Sequence, residues 1–384
     1  MLPKKLQQKI EYRKEQNTFR ELGVPNNLID FSSNDYLGLS KNETIFNAAH
    51  QFLIANKIKE NGATGSRLLT GNHKLYQLVE QQLCAFHNSE AALVYNSGFM
   101  ANLGFFASIP QRGDVIIYDT YCHASIRDGI KLANAKSYKF KHNDLEDLNL
   151  QLQRFASSLE KEAVIYVVTE SVFSMDGDSP KLKELVALTQ KHQAHLIVDE
   201  AHAVGVKGLN GAGIISELQL ENKIFARIIT FGKAMGCHGA AILGSKKLKA
   251  FLINFSRPFI YTTALPPHAL ATINCVYTEL NNPTKDTIHT LHKNILFFKA
   301  ELIKLKLQEY FIESDAAIQC CVIPGNKNVK TIANKLQQNG FNVKPILSPT
   351  VPEGEERLRF CIHSYNTEKE ITKVLQLLTT FVKL

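Results

Sequence analysis

A single lysine, Lys233, stands between two apolar runs and could carry the chemistry of this chain. The run from Ile228 to Thr230 stops at a Phe-Gly pair, and a second run extends from Ala240 to Leu243. This pattern predicts a strand, a tight turn that holds the lysine, and another strand. A lysine amine that is partly desolvated in such a turn is a nucleophile that forms Schiff bases. The alternative is a solvated loop lysine, because lysine prefers the surface.

An aspartate and a histidine follow another apolar run. Asp199 ends the run that begins at residue 195, and His202 comes three positions later. A buried carboxylate at a strand end could keep a heteroaromatic nitrogen protonated, and a nearby imidazole could hydrogen-bond a phenolic oxygen. The alternative is that Asp199 only caps the following turn, which is a common use of aspartate.

A third element of chemistry is a possible anion site at Ser97 and Gly98. The apolar run 91–95 ends just before them, and a helical pattern starts with Gly98. The first N–H groups of a helix and its dipole both favour a phosphate at such a junction. Many junctions of this kind bind nothing.

Together these residues match the needs of one cofactor, pyridoxal 5'-phosphate (PLP). PLP needs a lysine for its aldehyde, an acidic partner for its ring nitrogen, an aromatic or imidazole ring over its face, and N–H groups for its phosphate. Lys233, Asp199, His123 and the Ser97-Gly98 turn supply all four. The sequence therefore predicts a PLP site.

Alternating strands and helices must position these residues. Apolar runs at 114–119, 163–170, 195–199 and 227–231 are separated by helical patterns at 124–133, 145–159 and 182–192. This alternation predicts an α/β fold with a mostly parallel sheet covered on both faces. Ligands of such sheets bind at the carboxyl ends of the strands, where His123, Glu170, Asp199 and Lys233 all fall.

The chain is predicted to divide into three parts. Residues 1–44 form an N-terminal segment that begins with a polar helix, residues 45–285 a large cofactor-binding domain, and residues 286–384 a small C-terminal α+β domain. Within the last part, helical patterns lie at 329–339 and 368–383, and strands at 317–323, 343–346 and 357–362.

Composition excludes several classes of protein. The 384 residues are 45% hydrophobic and 21% charged, which is ordinary for a globular chain. The net charge of +8 is spread along the sequence, so it does not by itself predict a nucleic-acid site. No apolar run approaches the ~20 residues of a membrane span, and the N-terminus lacks the apolar region of a secretory signal. Seven cysteines without metal-binding spacing indicate free thiols in a reducing cytoplasm, with no metal site.

With these residues in place, the sequence closely resembles the α-oxoamine synthases, a branch of the fold-type-I PLP-dependent transferases. The resemblance covers nearly the whole chain. It is carried by short motifs at Phe31-Ser-Ser-Asn-Asp-Tyr-Leu-Gly38, Gly62 to Gly71, Ser97-Gly-Phe99, His123-Ala-Ser125, Thr169 to Asp178, Asp199-Glu-Ala-His202, Thr230-Phe-Gly-Lys233, Tyr261-Thr-Thr263 and Pro349-Thr-Val-Pro352.

The resemblance implies a role for each residue around the cofactor ring. Lys233 would bind the cofactor as an imine and then act as the base that removes the α-proton of the amino acid. Asp199 would keep the ring nitrogen protonated, and His123 would stack on the ring. His202 and Ser174 would hydrogen-bond the side that carries the phenolic oxygen.

Other roles concern the phosphate and the substrates. The N–H groups of Gly98 and Phe99, with Thr230, would hold the phosphate. Thr262 and Thr263 would join them from the partner subunit of a homodimer.

Asn34 and Arg359 would bind the substrate carboxylate, and Thr350 would line the substrate site. The implied reaction is a decarboxylative condensation of L-alanine with a pimeloyl thioester on coenzyme A or acyl carrier protein, as in the branch of the family that serves biotin biosynthesis.

One position departs from the family pattern. Leu347 stands before the Pro-Thr-Val-Pro motif where these synthases often have an arginine, which removes a possible anion contact for the acyl substrate. Glycine C-acetyltransferase and the long-chain serine palmitoyltransferase type are therefore alternatives within the family. The compact segment after Lys233 favours the alanine enzyme over the acetyltransferase. A non-catalytic binding subunit is a remote alternative, because both Lys233 and Asp199 are present.

Overall fold

A computed structural model describes residues 2–23, 27–156, 162–282 and 287–382. The chain forms two compact units. The large unit comprises Asp35–Ser174 and Ser179–Ile288, and the small unit comprises Met1–Asn34, Met175–Asp178 and His289–Leu384. The N-terminal 34 residues thus group with the C-terminal part of the chain. The predicted domain boundary after residue 285 lies outside the described residues.

Twelve strands run through the described residues. In chain order they are β1 (Ile29–Asp30), β2 (Ala91–Tyr95), β3 (Val115–Asp119), β4 (Lys136–Phe140), β5 (Ile165–Glu170), β6 (His195–Asp199), β7 (Ala226–Thr230), β8 (Ala240–Gly244), β9 (Ile318–Val322), β10 (Phe341–Asn342), β11 (Lys344–Ile346) and β12 (Arg357–Cys361).

The same part of the chain contains fourteen α-helices. They are α1 (Lys4–Glu15), α2 (Glu43–Ala55), α3 (Lys74–Phe86), α4 (Gly98–Ser108), α5 (Ala124–Leu132), α6 (Leu145–Ala156), α7 (Leu182–Lys191), α8 (Ile214–Glu217), α9 (Lys246–Phe255), α10 (Arg257–Ile260), α11 (Pro267–Leu280), α12 (Thr287–Lys304), α13 (Asn326–Gln338) and α14 (Glu368–Val382). None of these helices has the length and apolarity that a membrane span requires.

The large unit is built on a seven-stranded sheet in the order β2-β8-β7-β6-β5-β3-β4. The pairs from β7 to β4 are parallel, whereas β8 runs antiparallel to both β7 and β2. Apolar side chains on the two faces of the sheet form separate hydrophobic clusters under the helices, which is why the central strands read as continuous apolar runs. The predicted α/β architecture and mostly parallel sheet are confirmed.

The edge strand β4 does not follow from the apolar pattern. Its sequence, Lys-Ser-Tyr-Lys-Phe, is mostly exposed, and only Phe140 is buried. A polar edge strand with lysines discourages pairing with other chains, so it need not carry the apolar run that identifies a central strand. The predicted helix at 145–159 is present up to Ala156, and its last three positions lie outside the described residues.

The small unit contains a three-stranded antiparallel sheet in the order β11-β12-β9 and a short parallel pair of β1 with β10. Helices α13 and α14 bury their apolar faces, including Val329, Leu336 and Leu375. The predicted helices and strands of the C-terminal part are present in the predicted order, and the two-residue strand β10 is an addition that the sequence pattern did not indicate.

Candidate active site

The carboxyl ends of β5, β6 and β7 bring acidic and basic side chains together in the large unit. Glu170 at the end of β5 is in register with Asp199 at the end of β6, and Asp199 is in register with Ile228 of β7. Lys233 lies three residues beyond the end of β7. Parallel strands end at the same edge of a sheet, so the predicted clustering of these residues is observed.

Asp199 is buried, with 6% of its surface exposed, and its partners are neutral. Its Oδ2 accepts a hydrogen bond from Nδ2 of Asn102 at 2.8 Å, and its Oδ1 accepts from the backbone N–H of Ala201 at 2.9 Å. The second bond closes the turn after β6, as the alternative reading of this aspartate predicted. The first comes from helix α4 and nothing in the sequence pattern indicated it.

His123 is the N-cap residue of helix α5, and its backbone N–H donates to Oε1 of Glu170 at 2.6 Å. The residue is exposed, while its Nδ1 lies against the buried Ser125. Nδ1 accepts from the Ser125 backbone N–H at 3.2 Å and lies 2.8 Å from its Oγ. Desolvation of this edge lowers the pKa of His123, and the charge of Lys233 lowers it further against the opposing effect of Asp199. An exposed imidazole whose Nδ1 edge is held by hydrogen bonds suits a stacking role.

Glu170 is a further member of this cluster. Only 3% of its surface is exposed, and burial, reinforced by the charge of Asp199, raises the pKa of its carboxyl well above the usual range. The backbone N–H of His123 and the charge of Lys233 act in the opposite direction. Glu170 therefore fixes the His123 turn by accepting the hydrogen bond from its backbone N–H. Because its pKa is raised, its carboxyl places less negative charge beside Asp199.

The turn that carries Lys233 joins β7 to the antiparallel β8, as predicted. Lys233 is half-buried. The turn closes through two backbone bonds, from Gly236 to the Lys233 carbonyl and from Cys237 to the Phe231 carbonyl. Gly236 has φ +61°, and a Cβ there would lie 2.3 Å from the backbone nitrogen of Ser40. Glycine is therefore required for the lysine turn to pack against the Leu39-Ser40 segment.

The N-terminus of α4 meets the end of β7 at the predicted anion site. Ser97 caps the helix: its side chain accepts from the Met100 N–H, and its carbonyl accepts from Ala101. The helix itself satisfies neither the Gly98 nor the Phe99 N–H group. A Cβ on Gly98 would stand 3.6 Å from Oγ1 of Thr230, so the first turn of α4 lies close to that hydroxyl.

His202 and Tyr36 form a buried pair that the motif positions alone did not predict. The Nδ1 of His202 lies 2.8 Å from the Tyr36 hydroxyl, and both residues are almost fully buried. This bond fixes the ring of His202 through one nitrogen. Ser174 lies half-buried in the turn after β5, within the large unit.

Thr262 and Thr263 follow the short helix α10. Thr262 is half-buried and Thr263 is exposed. The Thr263 carbonyl accepts from Nδ2 of Asn96 at 2.7 Å, which ties this segment to the residues just before the α4 N-terminus. Their contribution to a partner subunit stays a prediction.

The small unit holds the predicted carboxylate-binding residues together. Nη2 of Arg359 donates to Oδ1 of Asn34 at 3.0 Å, and its Nη1 lies 2.9 Å from the Cys361 Sγ. Arg359 is 8% exposed. Both of these contacts are with neutral groups. The sequence identifies Cys361 only as a free thiol. It contacts Arg359 because residues two apart on a strand, here β12, lie on the same face.

Thr350 lies in a different part of the same unit, beside a cavity of about 240 Å³. The cavity is lined by Leu347, Arg13 and Arg20, among others, and Nη2 of Arg20 donates to Oγ1 of Thr350 at 3.4 Å. Leu347 leaves its side of the cavity apolar. The N-terminal segment supplies positive charge there instead, which the local motif could not reveal.

These groups fit PLP. The large unit offers a buried carboxylate with neutral hydrogen-bond partners, a half-buried lysine, an exposed imidazole, and two first-turn amides beside a threonine hydroxyl. These are the groups that a protonated pyridine ring, an aldehyde and a phosphate require. Within the described residues, no cluster of three or more His, Cys, Asp or Glu could hold a metal ion.

Comparisons with known proteins also indicate a PLP-dependent enzyme. The family model for aminotransferase class I and II matches residues 26–378. An 8-amino-7-oxononanoate synthase from Emericella nidulans is 35% identical, over 98% of this chain and 95% of the relative.

Two solved structures are also similar. An 8-amino-7-oxononanoate synthase from Francisella tularensis is 31% identical, with a TM-score of 0.76 over 94% of this chain and 99% of that one. A serine palmitoyltransferase variant from S. paucimobilis, with PLP and myriocin bound, is 27% identical, with a TM-score of 0.88 over 99% of this chain and 97% of that one.

The fold and the site together define a fold-type-I PLP-dependent transferase. This chain belongs to the aminotransferase class I and II family and is a PLP-dependent acyltransferase of the α-oxoamine synthase type. The predicted cofactor and the predicted resemblance are confirmed.

Proposed function

We propose that this enzyme condenses L-alanine with a pimeloyl thioester of coenzyme A or acyl carrier protein. The products would be 8-amino-7-oxononanoate, CO2 and the free thiol carrier, in biotin biosynthesis. The observation that carries the proposal is the full-length similarity to relatives named 8-amino-7-oxononanoate synthase. The cluster of Lys233, Asp199 and His123 supports an intact catalytic centre and opposes the non-catalytic alternative.

When bound, PLP supplies an electron sink for the charge that develops on the α-carbon of the amino acid. Lys233 would anchor the cofactor, accept the α-proton at Nζ and later return a proton to the product. Asp199 would hold a proton on the ring nitrogen with its carboxylate. His123 would cover one ring face and exclude water from it. His202, with Ser174, would orient the oxygen-bearing side.

The phosphate would be held by the N–H groups of Gly98 and Phe99 and by the Thr230 hydroxyl. We include in the proposal a homodimer in which Thr262 and Thr263 serve the partner's phosphate site. The reducing cytoplasm is the proposed location, and all seven cysteines are free thiols in the structure.

In the small unit, Arg359 would bind the carboxylate of alanine, with Asn34 fixing its guanidinium group. Thr350 would line the acyl site. Because Leu347 is apolar, we assign Arg13 and Arg20 to the anionic end of the acyl substrate. Both arginines line the cavity beside Thr350.

A serine palmitoyltransferase type of activity is the second candidate. It is favoured by the high structural similarity to serine palmitoyltransferases, in one case a TM-score of 0.88 over 99% of this chain. That activity would join serine to a long acyl chain. Glycine C-acetyltransferase activity is a third candidate, and each of the three activities consumes a different amino acid.

The test compares amino acids on the PLP-loaded enzyme. L-alanine should perturb the visible absorbance of the bound cofactor, and addition of pimeloyl-coenzyme A or its acyl carrier protein form should release CO2 and 8-amino-7-oxononanoate, measured by mass spectrometry. Serine with palmitoyl-coenzyme A, and glycine with acetyl-coenzyme A, are the matched reactions. A response to glycine or serine without one to alanine would reject the biotin-pathway assignment.

Lys233→Ala provides the control for the anchor. Borohydride should fix the cofactor covalently to the native chain and should leave the variant without a covalent adduct. A covalent adduct in the variant would show that another lysine is the anchor.

A further inference from the structure

Four buried or partly buried groups of the large unit form a continuous hydrogen-bonded bridge. Asn102 donates from Nδ2 to Oδ2 of Asp199 at 2.8 Å and to Oγ of Ser125 at 3.0 Å. The Oγ of Ser125 lies 2.8 Å from Nδ1 of His123, and the Ser125 backbone N–H donates to the same nitrogen at 3.2 Å. The bridge links the carboxylate proposed for the ring nitrogen to the imidazole proposed for the ring face.

The number of available protons fixes the direction of each bond. An asparagine amide has two N–H donors, and here one goes to Asp199 and the other to Ser125. The Ser125 hydroxyl accepts one of these, so its single proton is free to go to Nδ1 of His123. The Ser125 backbone N–H also donates to Nδ1. Nδ1 is therefore an acceptor, and the ring proton sits on Nε2.

The orientation of the Asn102 amide is itself constrained by charge. Its Oδ1 is buried without a hydrogen-bond partner in the described part of the chain. Turning the amide over would give that oxygen a position facing the Asp199 carboxylate, where two acceptors repel. A buried oxygen without a hydrogen-bond partner is unfavourable. The two hydrogen bonds that the amide donates, to Asp199 and Ser125, must offset this cost.

Packing holds the bridge in place. Asn102 is 2% exposed and Ser125 is fully buried. Helices α4 and α5, which carry them, approach closely at Gly129, where a Cβ would lie 2.9 Å from Cβ of Phe106 and 3.0 Å from the Asn102 carbonyl. The glycine lets the two helices come close enough for the side chains to reach each other.

We infer that Asn102 and Ser125 are positioning residues of the cofactor site, which orient the Asp199 carboxylate and hold His123 in the Nε2–H tautomer. The inference rests on the roles proposed above for Asp199 and His123. Neither bridging residue need touch the cofactor. They connect Asp199, the residue proposed for the ring nitrogen, to His123, the residue proposed for the ring face.

The surrounding charges are consistent with a neutral imidazole. Lys233 and Arg127 favour the neutral ring, while Asp199 and Asp128 oppose them. Glu170 binds the backbone N–H of His123 and not its ring. Partial burial, the largest influence, lowers the pKa of His123.

The first experiment reads the tautomer directly by NMR of histidine ring nitrogens in the cofactor-free full chain, with His123→Gln to assign the signal. The native ring should show protonated Nε2 and unprotonated Nδ1 at neutral pH. Ser125→Ala should raise the population of the Nδ1–H tautomer and shift the titration midpoint upward, because only the longer backbone bond at 3.2 Å then keeps Nδ1 an acceptor. Ser256→Ala is the matched control, because Ser256 is also fully buried and accepts from the Tyr95 hydroxyl at 2.9 Å. An unchanged spectrum in Ser125→Ala would overturn the inference.

The second experiment addresses the carboxylate. Asn102→Asp removes both N–H donors with little change in size and places a like charge beside Asp199. The dissociation constant of PLP should rise about tenfold or more, and the pH titration of the bound-cofactor absorbance should move. Asn294→Asp is the control, since this buried asparagine donates to the carbonyls of His363 and Asn366 in the small unit.

Asp199→Asn separates the two proposals. If it leaves cofactor binding and absorbance unchanged, the proposed role of Asp199 fails. If it changes them while a folded Asn102→Asp behaves as the native chain, only the bridge fails. Should Asn102→Asp not fold, the tautomer measurement on Ser125→Ala decides the inference by itself.

Discussion

Asp199 and Glu200 are adjacent carboxylates at the end of β6, and they have different kinds of partner: Glu200 has a charged partner and Asp199 has neutral hydrogen-bond partners. Glu200 is fully buried and forms an ion pair with Arg227, whose Nη2 lies 2.6 Å and Nε 2.7 Å from its Oε2. Arg227 also donates to the carbonyls of His87 and Ala212. Asp199 is held instead by the neutral amide of Asn102 and a backbone N–H.

The small unit repeats this contrast with arginines. Arg357 forms an ion pair with Asp176 and donates from Nε to the Glu355 carbonyl at 2.9 Å. Arg359, two residues along the same strand, contacts the neutral groups of Asn34 and Cys361. In the large unit, Glu200 is in an ion pair, and its neighbour Asp199 accepts hydrogen bonds from neutral groups. In the small unit, Arg357 is in an ion pair, and Arg359 donates to the neutral amide of Asn34.

The difference separates fold from function. A buried charge with a paired counter-charge is satisfied within the protein, and removing one partner leaves the other stranded. A buried charge among neutral donors or acceptors remains available to an oppositely charged group of a ligand. The paired residues should therefore govern stability, and the others cofactor or substrate binding.

The largest expected effect comes from Asp199→Asn. We expect kcat to fall about 10²–10³-fold, because the preorganised charge opposite the ring nitrogen is lost, while the free energy of unfolding of the cofactor-free chain changes little. Steady-state kinetics and urea unfolding measure the two quantities. Glu200→Gln is the matched variant and should show the reverse pattern. Equal loss of activity and stability in both variants would contradict the comparison.

Arg227→Met should give the next largest effect. Its removal leaves the Glu200 carboxylate buried and unpaired, so the free energy of unfolding should fall by about 3–5 kcal/mol. Equilibrium unfolding in urea on the cofactor-free chain tests this value. The double variant with Glu200→Leu should recover much of the loss, because no unpaired charge then remains. Failure of the double variant to recover would show that the bonds to the His87 and Ala212 carbonyls dominate.

Arg359→Lys should weaken substrate binding with a smaller effect on the fold. Lysine keeps the charge but loses the planar group that reaches both Asn34 and Cys361. We expect KM for alanine to rise about tenfold, as for a lost charge-assisted hydrogen bond, with little change in KM for the acyl thioester. Arg357→Lys serves as the comparison and should lower stability without selective loss of alanine affinity. If Arg357→Lys selectively raised the KM for alanine, the proposed difference between Arg357 and Arg359 would be wrong.

The smallest effect concerns Asp30, a half-buried carboxylate that also has neutral partners. Burial alone would raise its pKa, but hydrogen bonds from Ser33 and Ser32 lower it from 3.8 to about 2. A lowered pKa in the folded state stabilises the protein above pH 4, and this stability is lost as the pH falls through about 2. After solvent screening we expect about 1 kcal/mol. Acid unfolding of Asp30→Asn should lack this pH-dependent part, and an unchanged acid profile would refute the assignment.

Much of the architecture could be predicted because it follows from local patterns. The apolar runs of β3, β5, β6 and β7 exist because strands covered on both faces must be apolar throughout. Strand β4 escaped prediction because an exposed edge strand carries no such pattern.

The sequence by itself determined which residue types stand at the strand ends, and hence Lys233, Asp199, His123 and the turn before α4. Chain connectivity in a parallel sheet forces those ends to one edge. Only the tertiary structure decided that Asn102, an ordinary residue within α4, reaches Asp199 from 97 positions away in the sequence. It also decided that Glu200 and not Asp199 pairs with Arg227, because this pairing depends on which way each side chain points from the sheet.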